Sequence, residues 1–345
     1  MSKIKRHQIV LLCIVSLLWL DCSLLAKKKK LFVFTGHTMG TSFTIKVVDD
    51  WQKEREKRMG RFQGDIEKLL GRVNGQMSTF IDSSEISLFN RYRGKEWFSV
   101  SSELVLVVQT ALNVSEQSGG TFDITVGPLV NLWGFGPDPS ADRVPAEEDI
   151  SKKLTQIGYR FLSCRLTPPA LKKAIAELYC DLSAIAKGYG VDAVAAYLDS
   201  QGARNYMVEI GGEIRAKGKN NNEIRWRIGI SAPQAGGGVQ KIINVTDIGM
   251  ATSGDYYNYF EKDSVRYSHT IDPRNGYPIQ HKLASVTVLH PQCMYADAYA
   301  TAIDVLGPED GYDFALKEEL PVYMIVKTDS GFAEKMTPQF AAVMK

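Results

Sequence analysis

The sequence predicts an α+β protein with mixed or antiparallel sheets and packed helices, and three observations carry that expectation. Its 345 residues, 44% hydrophobic and 23% charged, have the composition of a folded chain able to bury one large core or two smaller ones. Short β-like runs such as Thr41 to Val48 and longer helical runs such as the one opening at Ser101 occur in the same chain. The two kinds come in blocks instead of alternating strictly, which is the α+β pattern. A formal net charge of +2 spread over this length leaves no electrostatic footprint for nucleic acid, and no zinc-finger or RNA-binding signature is present.

The first element is a targeting segment. Lys3, Lys5, Arg6 and His7 precede an apolar run from Ile9 to Leu20, the length of a signal-peptide core and short for a bilayer span. "LLWLDC" then puts Cys22 where a lipidated cysteine would stand, although Leu20 and Asp21 are poor flanks; an uncleaved anchor or cleavage near Ala26 are the alternatives. The expected organisation is an export and lipid-anchor segment at 1–22, a basic linker at 23–30 and one domain at 31–345. Lys27 to Lys30 suit anionic headgroups beside an anchor or a plain solvated linker.

Next come two strands, Leu31 to Phe34 and Thr41 to Val48, around a glycine-containing bend, and a helix in "RMGRFQGDIEKLLGRVN". Asp82 with Glu85 reads as a capping-box variant opening a short helix. Ser101 or Ser102 caps the next helix, and Gly119 and Gly120 stop it. "PDPSADRVPAEED" is a turn-rich linker. A helix from about Ala184 to Ser200 precedes strands at Asn205 to Ile210, Arg225 to Ser231, Ile242 to Ile248, Tyr267 to Ile271 and Ala284 to Leu289. Outside the export segment the cysteines are Cys164, Cys180 and Cys293, without metal-type spacing. An oxidising compartment would allow one disulfide, with Cys164 and Cys180 the nearest pair; the spacing does not decide it.

Five stretches offer chemistry, each with a plainer reading beside it. In "GGTFDITVGPLVNLWGFG", Asp123 stands in an apolar run and is either paired or functional; by itself it reads as structural. In "DLSAIAKGYGVDAVAAYLDSQG", Lys187 sits in the first turn of a helix, whose free N–H groups favour phosphate, but the Walker spacing is absent and a simple helix start with two glycines is the alternative. In "NYMVEIGGEIRAKG", Gly211 and Gly212 between Glu209 and Glu213 read first as a β-bulge. In "SHTIDPRNGYPI", His269 precedes a rigid Asp272-Pro273 turn and is the obvious candidate for proton transfer, with packing as the alternative; Tyr256, Tyr257, Tyr259 and Tyr267 line either a planar ligand or a core. In "YADAYATAIDVLG", Asp297, Thr301 and Asp304 stack on one helical face, either as a wet stripe or, for Asp297 and Thr301, as hard oxygen ligands suited to Mg2+.

Taken in order, "HTMGTSF", "MSTFIDSSEISLFN", "GGTFDITVGPLVNLWGFG", "DLSAIAKGYGVD", "IGGEIRAKG", "ATSGDYYNYF", "HTIDPRNGYPI" and "ADAYATAIDVLG" resemble the ApbE-type FAD:protein FMN transferases from about Gly36 to Gly307. The resemblance implies a T-fold-like α+β architecture and a periplasmic, lipid-anchored enzyme on the inner membrane. It implies that FAD contacts Met39, Phe80, the backbone of Thr121, Phe122 and Asp123, then Asp181, Lys187, His269 and Ile271, with Mg2+ on Asp297, Thr301 and the main-chain oxygen of Ala184. The implied reaction moves FMN from FAD to a Thr or Ser hydroxyl of an acceptor flavoprotein bearing a Ser/Thr-Gly-Ala-Ser/Thr type motif, releasing AMP. Attack on a diphosphate needs charge neutralisation, an in-line nucleophile and a proton acceptor. His269 ranks above Asp297 as that acceptor, because a metal-bound carboxylate is a weak base. Water in place of the acceptor would hydrolyse FAD to FMN and AMP.

The family often has Tyr where Phe80 stands, Ala where Thr121 stands and Gly where Ser183 or Ala184 stands; no implied metal side chain is lost. Asp304, often apolar in the family, is expected to face water, with extension of the metal site to a second ion as the alternative. A non-catalytic FAD-binding lipoprotein is the alternative reading, and a non-flavin surface scaffold a further one; retention of Asp297 and Thr301 argues against the carrier.

Overall fold

The alternating apolar residues that follow the basic linker open the main sheet. In the computed structural model, which describes residues 29–49, 55–136, 144–233, 237–254, 259–263 and 265–344, they form β1 (Lys30–Thr38) and β2 (Thr41–Asp49). The export segment, Cys22, Tyr256, Tyr257 and most of the basic linker lie outside the described residues, as do residues 137–143 of the turn-rich linker. The pair is antiparallel from Lys30↔Asp49 to Thr38↔Thr41, and both strands run longer than the sequence predicted. Its turn uses Met39 and Gly40 at φ +50° and +71°, the two positive angles that match the twist of a tight hairpin.

Helices α1 (Arg55–Met77) and α2 (Glu85–Arg91), strand β3 (Phe98–Ser99), and helices α3 (Ser102–Gln117), α4 (Gly127–Leu132) and α5 (Glu147–Leu154) follow, then β4 (Leu162–Arg165) and β5 (Ala170–Lys173). After them come α6 (Ala186–Ser200), β6 (Tyr206–Ile210), β7 (Glu213–Lys217), β8 (Trp226–Ser231), β9 (Val239–Val245), β10 (Ile248–Gly254), β11 (Tyr259–Lys262), β12 (Val265–Ser268) and β13 (Leu283–His290). The chain finishes with α7 (Cys293–Leu306), α8 (Asp310–Lys317), β14 (Val322–Thr328), β15 (Gly331–Met336) and α9 (Pro338–Val343).

Eight strands form the main antiparallel sheet in the order β1-β2-β6-β7-β10-β13-β14-β15. On one face Ile45, Val208, Val286 and Val288 meet apolar side chains of α1, α3, α6 and α7. On the other, Ile214, Met250, Leu289 and Tyr323 meet the β8–β9 hairpin and Phe340 of α9. The period-two alternation of each strand serves both cores. Helix α7 is enclosed on nearly every side, and its mostly apolar composition matches that position.

Several expectations change. Gly211 and Gly212 are not a bulge: at φ +59° and +103° they are the two-residue turn joining β6 to β7. The strand expected at Ile242 to Ile248 is the end of β9 and the start of β10, separated at Asp247 with φ +54°. Tyr267 lies in β12, which ends at Ser268, whereas Ile271 makes a separate bridge to Pro278. Ser84, not Asp82, caps α2 by accepting from the Ser87 N–H, and Glu85 instead accepts the Ser101 N–H. Ser101 caps α3 through the Leu104 N–H. Cys164, Cys180 and Cys293 are all free thiols; Cys164 donates to Gln109. Asp304 does not face water: it is 1% exposed and accepts the Thr270 hydroxyl at 3.2 Å, because α7 is buried on that side too.

Candidate functional site

The site lies where the N-terminal turns of α6 and α7 cross beside β7. Gly188 makes the crossing feasible: a Cβ there would stand 2.5 Å from the Cys293 carbonyl oxygen and 2.8 Å from Cβ of Asp297. Gly188 is the third residue of α6, so its N–H is one of those that a helix start leaves without an intrahelical partner. It donates to Oδ2 of Asp297 at 2.9 Å, across to the other helix. Ala184, in the turn just before the α6 N-cap Ile185, lines a cavity together with Asp297 and Thr301. Thr301 has one long hydroxyl contact there, 3.4 Å to Ser253.

Charge is concentrated at this junction. Asp297 and Glu213 are each 3% exposed, and the Lys187 ammonium stands between them, 3.1 Å from Glu213 Oε1 and 3.8 Å from Asp297 Oδ1. Burial pushes both carboxyls up, to about 8 for Glu213, while Lys187 opposes the shift. Burial also works against the Lys187 cation, but the two acids outweigh it and raise its pKa. Oε2 of Glu213 is buried in the cavity wall without a hydrogen-bond partner. Glu213 begins a row on one face of β7: Glu213 pairs with Lys187, Arg215 with Asp192 at 2.6 Å, and Lys217 with Asp199 at 2.9 Å, each on α6.

Two adjoining cavities meet here. The first, about 410 Å3, is lined by Phe80, Thr121 to Ile124, Asp181, Ala184, Lys187, His269, Ile271, Asp297 and Thr301 among others. The second, about 520 Å3, is lined by Met39, Val73, Met77, Phe80 and Ile81, and shares Phe80, Ser183 and Lys187 with the first. Every residue that the resemblance assigns to FAD or Mg2+ therefore lines one cavity or the other. Most side chains of the 121–123 loop are already occupied. The Thr121 hydroxyl donates to the Ala302 carbonyl, Phe122 belongs to the core, and the Asp123 carboxylate accepts from Thr125 and the Tyr159 N–H. What this loop presents to a ligand is backbone, and the Asp181 N–H donating to Ile124 O at 2.7 Å ties it to the start of the lysine segment. Asp181 in turn accepts from the N–H and hydroxyl of Ser183. The His269 ring meets Phe135 edge-on at 6.4 Å between centroids.

The oxygen set fits a hard divalent cation. A buried carboxylate, a hydroxyl one turn on and a main-chain carbonyl just ahead of a helix start are the donor types Mg2+ takes, with positions left for substrate oxygens. Among the described residues no group of three or more His, Cys, Asp and Glu side chains forms a closed cage.

Residues 39–324 match the sequence profile of the ApbE family. The chain belongs to the ApbE family. An FAD:protein FMN transferase of Vibrio cholerae is 48% identical over 307 residues, spanning 89% of this chain and 90% of that one. One from Escherichia coli K12 is 35% identical over 90% of this chain and 89% of its own length. Among solved ApbE structures, the flavin transferase of Vibrio cholerae superposes with TM-score 0.83 at 45% identity, covering 91% of this chain and 99% of that one. The apo flavinyl transferase of Pseudomonas stutzeri gives the same TM-score at 38% identity, over 92% and 97%.

Within this ApbE-family fold, sequence reasoning missed two contributors. Glu213 was visible only as one flank of a glycine pair; that it faces the cavity follows from the hairpin placing it first on β7. Asp192, five residues after Lys187, gave no separate signal, since its partners Cys293 and Arg215 come from distant parts of the chain.

Proposed function

We propose that this protein transfers the FMN half of FAD to a Thr or Ser hydroxyl of an acceptor flavoprotein, in a Mg2+-dependent reaction that releases AMP. The observation that carries this reading is the α6–α7 crossing. There the Gly188 N–H serves Asp297, Ala184 lines the same cavity and Lys187 stands alongside, where two cavities meet. FAD has two ring systems joined by a diphosphate, and two cavities sharing Phe80, Ser183 and Lys187 suit that shape.

The Asp297 carboxylate, the Thr301 hydroxyl and the Ala184 carbonyl would hold Mg2+, which supplies charge neutralisation to the diphosphate when bound. Lys187, kept protonated by Asp297 and Glu213, adds fixed positive charge at the same place. Phe80, 70% exposed at the shared rim, offers its ring face to a flavin or adenine. The acceptor oxygen bonds to the FMN phosphorus, the bond from that phosphorus to the bridging oxygen breaks, and AMP leaves with the bridging oxygen. His269, lining the cavity that holds Asp297, takes the hydroxyl proton. The same geometry admits water, so slow FAD hydrolysis to FMN and AMP accompanies transfer.

The amino-terminal sequence supports export, with lipidation at Cys22 and residence at the periplasmic face of the inner membrane. Acceptors would be exported flavoproteins or redox-complex subunits carrying a Ser/Thr-Gly-Ala-Ser/Thr type motif. The test is mass spectrometry of such a peptide after incubation with FAD and Mg2+. An adduct of FMN mass, lost in Asp297→Ala while FAD binding persists, is the expected result. No adduct and no AMP would overturn the enzymatic reading in favour of a flavin carrier.

A further inference from the structure

Helix α7 carries Asp297 and Thr301, yet its own N-cap residue, Gln292, provides no side-chain cap. The first two free N–H groups of its first turn are satisfied from another helix. Oδ1 of Asp192 on α6 accepts the Cys293 N–H at 3.0 Å, and Oδ2 accepts the Met294 N–H at 2.9 Å. The same carboxylate receives Arg215 from β7 at 2.6 Å. Asp192 lies one turn beyond Gly188, whose N–H runs the opposite way, to Asp297. The two helices are thus tied reciprocally: α7 gives a carboxylate to an α6 N–H, and α6 gives a carboxylate to two α7 N–H groups.

We propose that Asp192, held by Arg215, is a positioning residue for the cation and diphosphate site. It touches no substrate. It seats the first turn of α7 against α6, which fixes where Asp297 lies relative to the Gly188 N–H, Lys187 and the Ala184 carbonyl. Helix α7 packs on β10 and β13 along its length, so its body is held by the core, while its exact axial seating depends on the end contacts. An aspartate can satisfy both N–H groups and the guanidinium together because each oxygen accepts more than one bond. Asparagine in its place turns one acceptor into a donor, facing either the Met294 N–H or both the Cys293 N–H and Arg215.

This inference rests on the cation reading above, and direct metal binding tests the two separately. Mn2+ titration followed by electron paramagnetic resonance, without FAD, is compared for the wild-type protein, Asp192→Asn and Arg215→Met, together with FAD affinity, kcat, KM for FAD and Tm. Asp192→Asn should weaken Mn2+ binding roughly tenfold or more, the usual cost of losing a residue that orients a ligand. It should lower kcat with KM for FAD within about threefold, since the cavity walls are unaltered. Arg215→Met, which keeps the cap and removes its counter-ion, should give a smaller loss in the same direction. A role in stability alone would lower Tm and leave Mn2+ affinity unchanged. Wild-type Mn2+ affinity in both folded variants overturns the proposal and leaves the cation site standing; absence of Mn2+ binding by the wild type overturns both. Should Asp192→Asn not fold, the outcome for Arg215→Met decides.

Discussion

Gly188→Ala tests the helix crossing with one methyl group. Its Cβ would sit 2.5 Å from the Cys293 carbonyl oxygen, about 0.9 Å inside the 3.4 Å at which ordinary contact begins. The obstacles are backbone and the Cβ of Asp297, so no flexible side chain can yield. Alanine gains about 1 kcal/mol over glycine inside a helix, whereas overpacking costs about 1–3 kcal/mol. The net loss of stability is therefore small, about 2 kcal/mol at most, or a few degrees in Tm. The effect on function should be much larger. The α6 and α7 backbones must part by nearly 1 Å where Gly188 N–H meets Asp297, and displacement of that size costs roughly 100-fold in rate. The assay is FMN transfer to an acceptor peptide, read by flavin fluorescence in a denaturing gel, beside Tm. Gly64→Ala on α1 is the control, because its Cβ meets nothing within 4 Å; it should stabilise slightly and leave transfer unchanged. Transfer by Gly188→Ala within threefold of wild type would refute the claim that this contact sets the site.

Three other perturbations separate binding, stability and charge. Phe80→Ala should weaken FAD binding roughly tenfold with Tm unchanged, as expected for an exposed ring that stacks on a ligand; unchanged affinity by fluorescence titration would remove Phe80 from the site. Lys173 is 1% exposed and donates to the carbonyls of Phe89, Asn90 and Leu178, so Lys173→Met should cost at least about 3 kcal/mol in denaturant unfolding by stranding three acceptors. A loss below about 1 kcal/mol would show those carbonyls finding other partners. The Glu213 carboxyl, raised to about 8 chiefly by burial, binds its proton more tightly folded than unfolded. Its contribution to stability is complete below its ordinary value of 4.5 and is lost as pH rises through about 8. Metal-free wild-type protein should therefore lose Tm over that range relative to Glu213→Gln; parallel Tm curves would refute the shift.

How far the sequence reached depended on whether a signal was local. The hairpin strands at 30–49, the Ser101 cap and the glycine stop at Gly119 and Gly120 follow from period, hydroxyl and positive φ, all properties of neighbouring residues. Gly211 and Gly212 announced a special backbone but not which one, because a bulge and a two-residue hairpin use the same residues and differ only in the pairing across the sheet.

Identity and order of residues determined by themselves that Asp297 and Thr301 share one face of a helix and that Lys187 opens another. Local spacing reaches no further than that. Only the tertiary structure decided that the two helices cross at Gly188, that the free Gly188 N–H is taken by Asp297, and that Glu213 and Asp192 join the cluster. It also decided the fate of Asp304, which period alone assigned to the same stripe and which the burial of α7 turned inward. The physical reason is that a helical period fixes which residues lie on one side, whereas what that side faces depends on contacts between segments well separated along the chain, from 34 residues for Thr270 and Asp304 to 109 for Gly188 and Asp297.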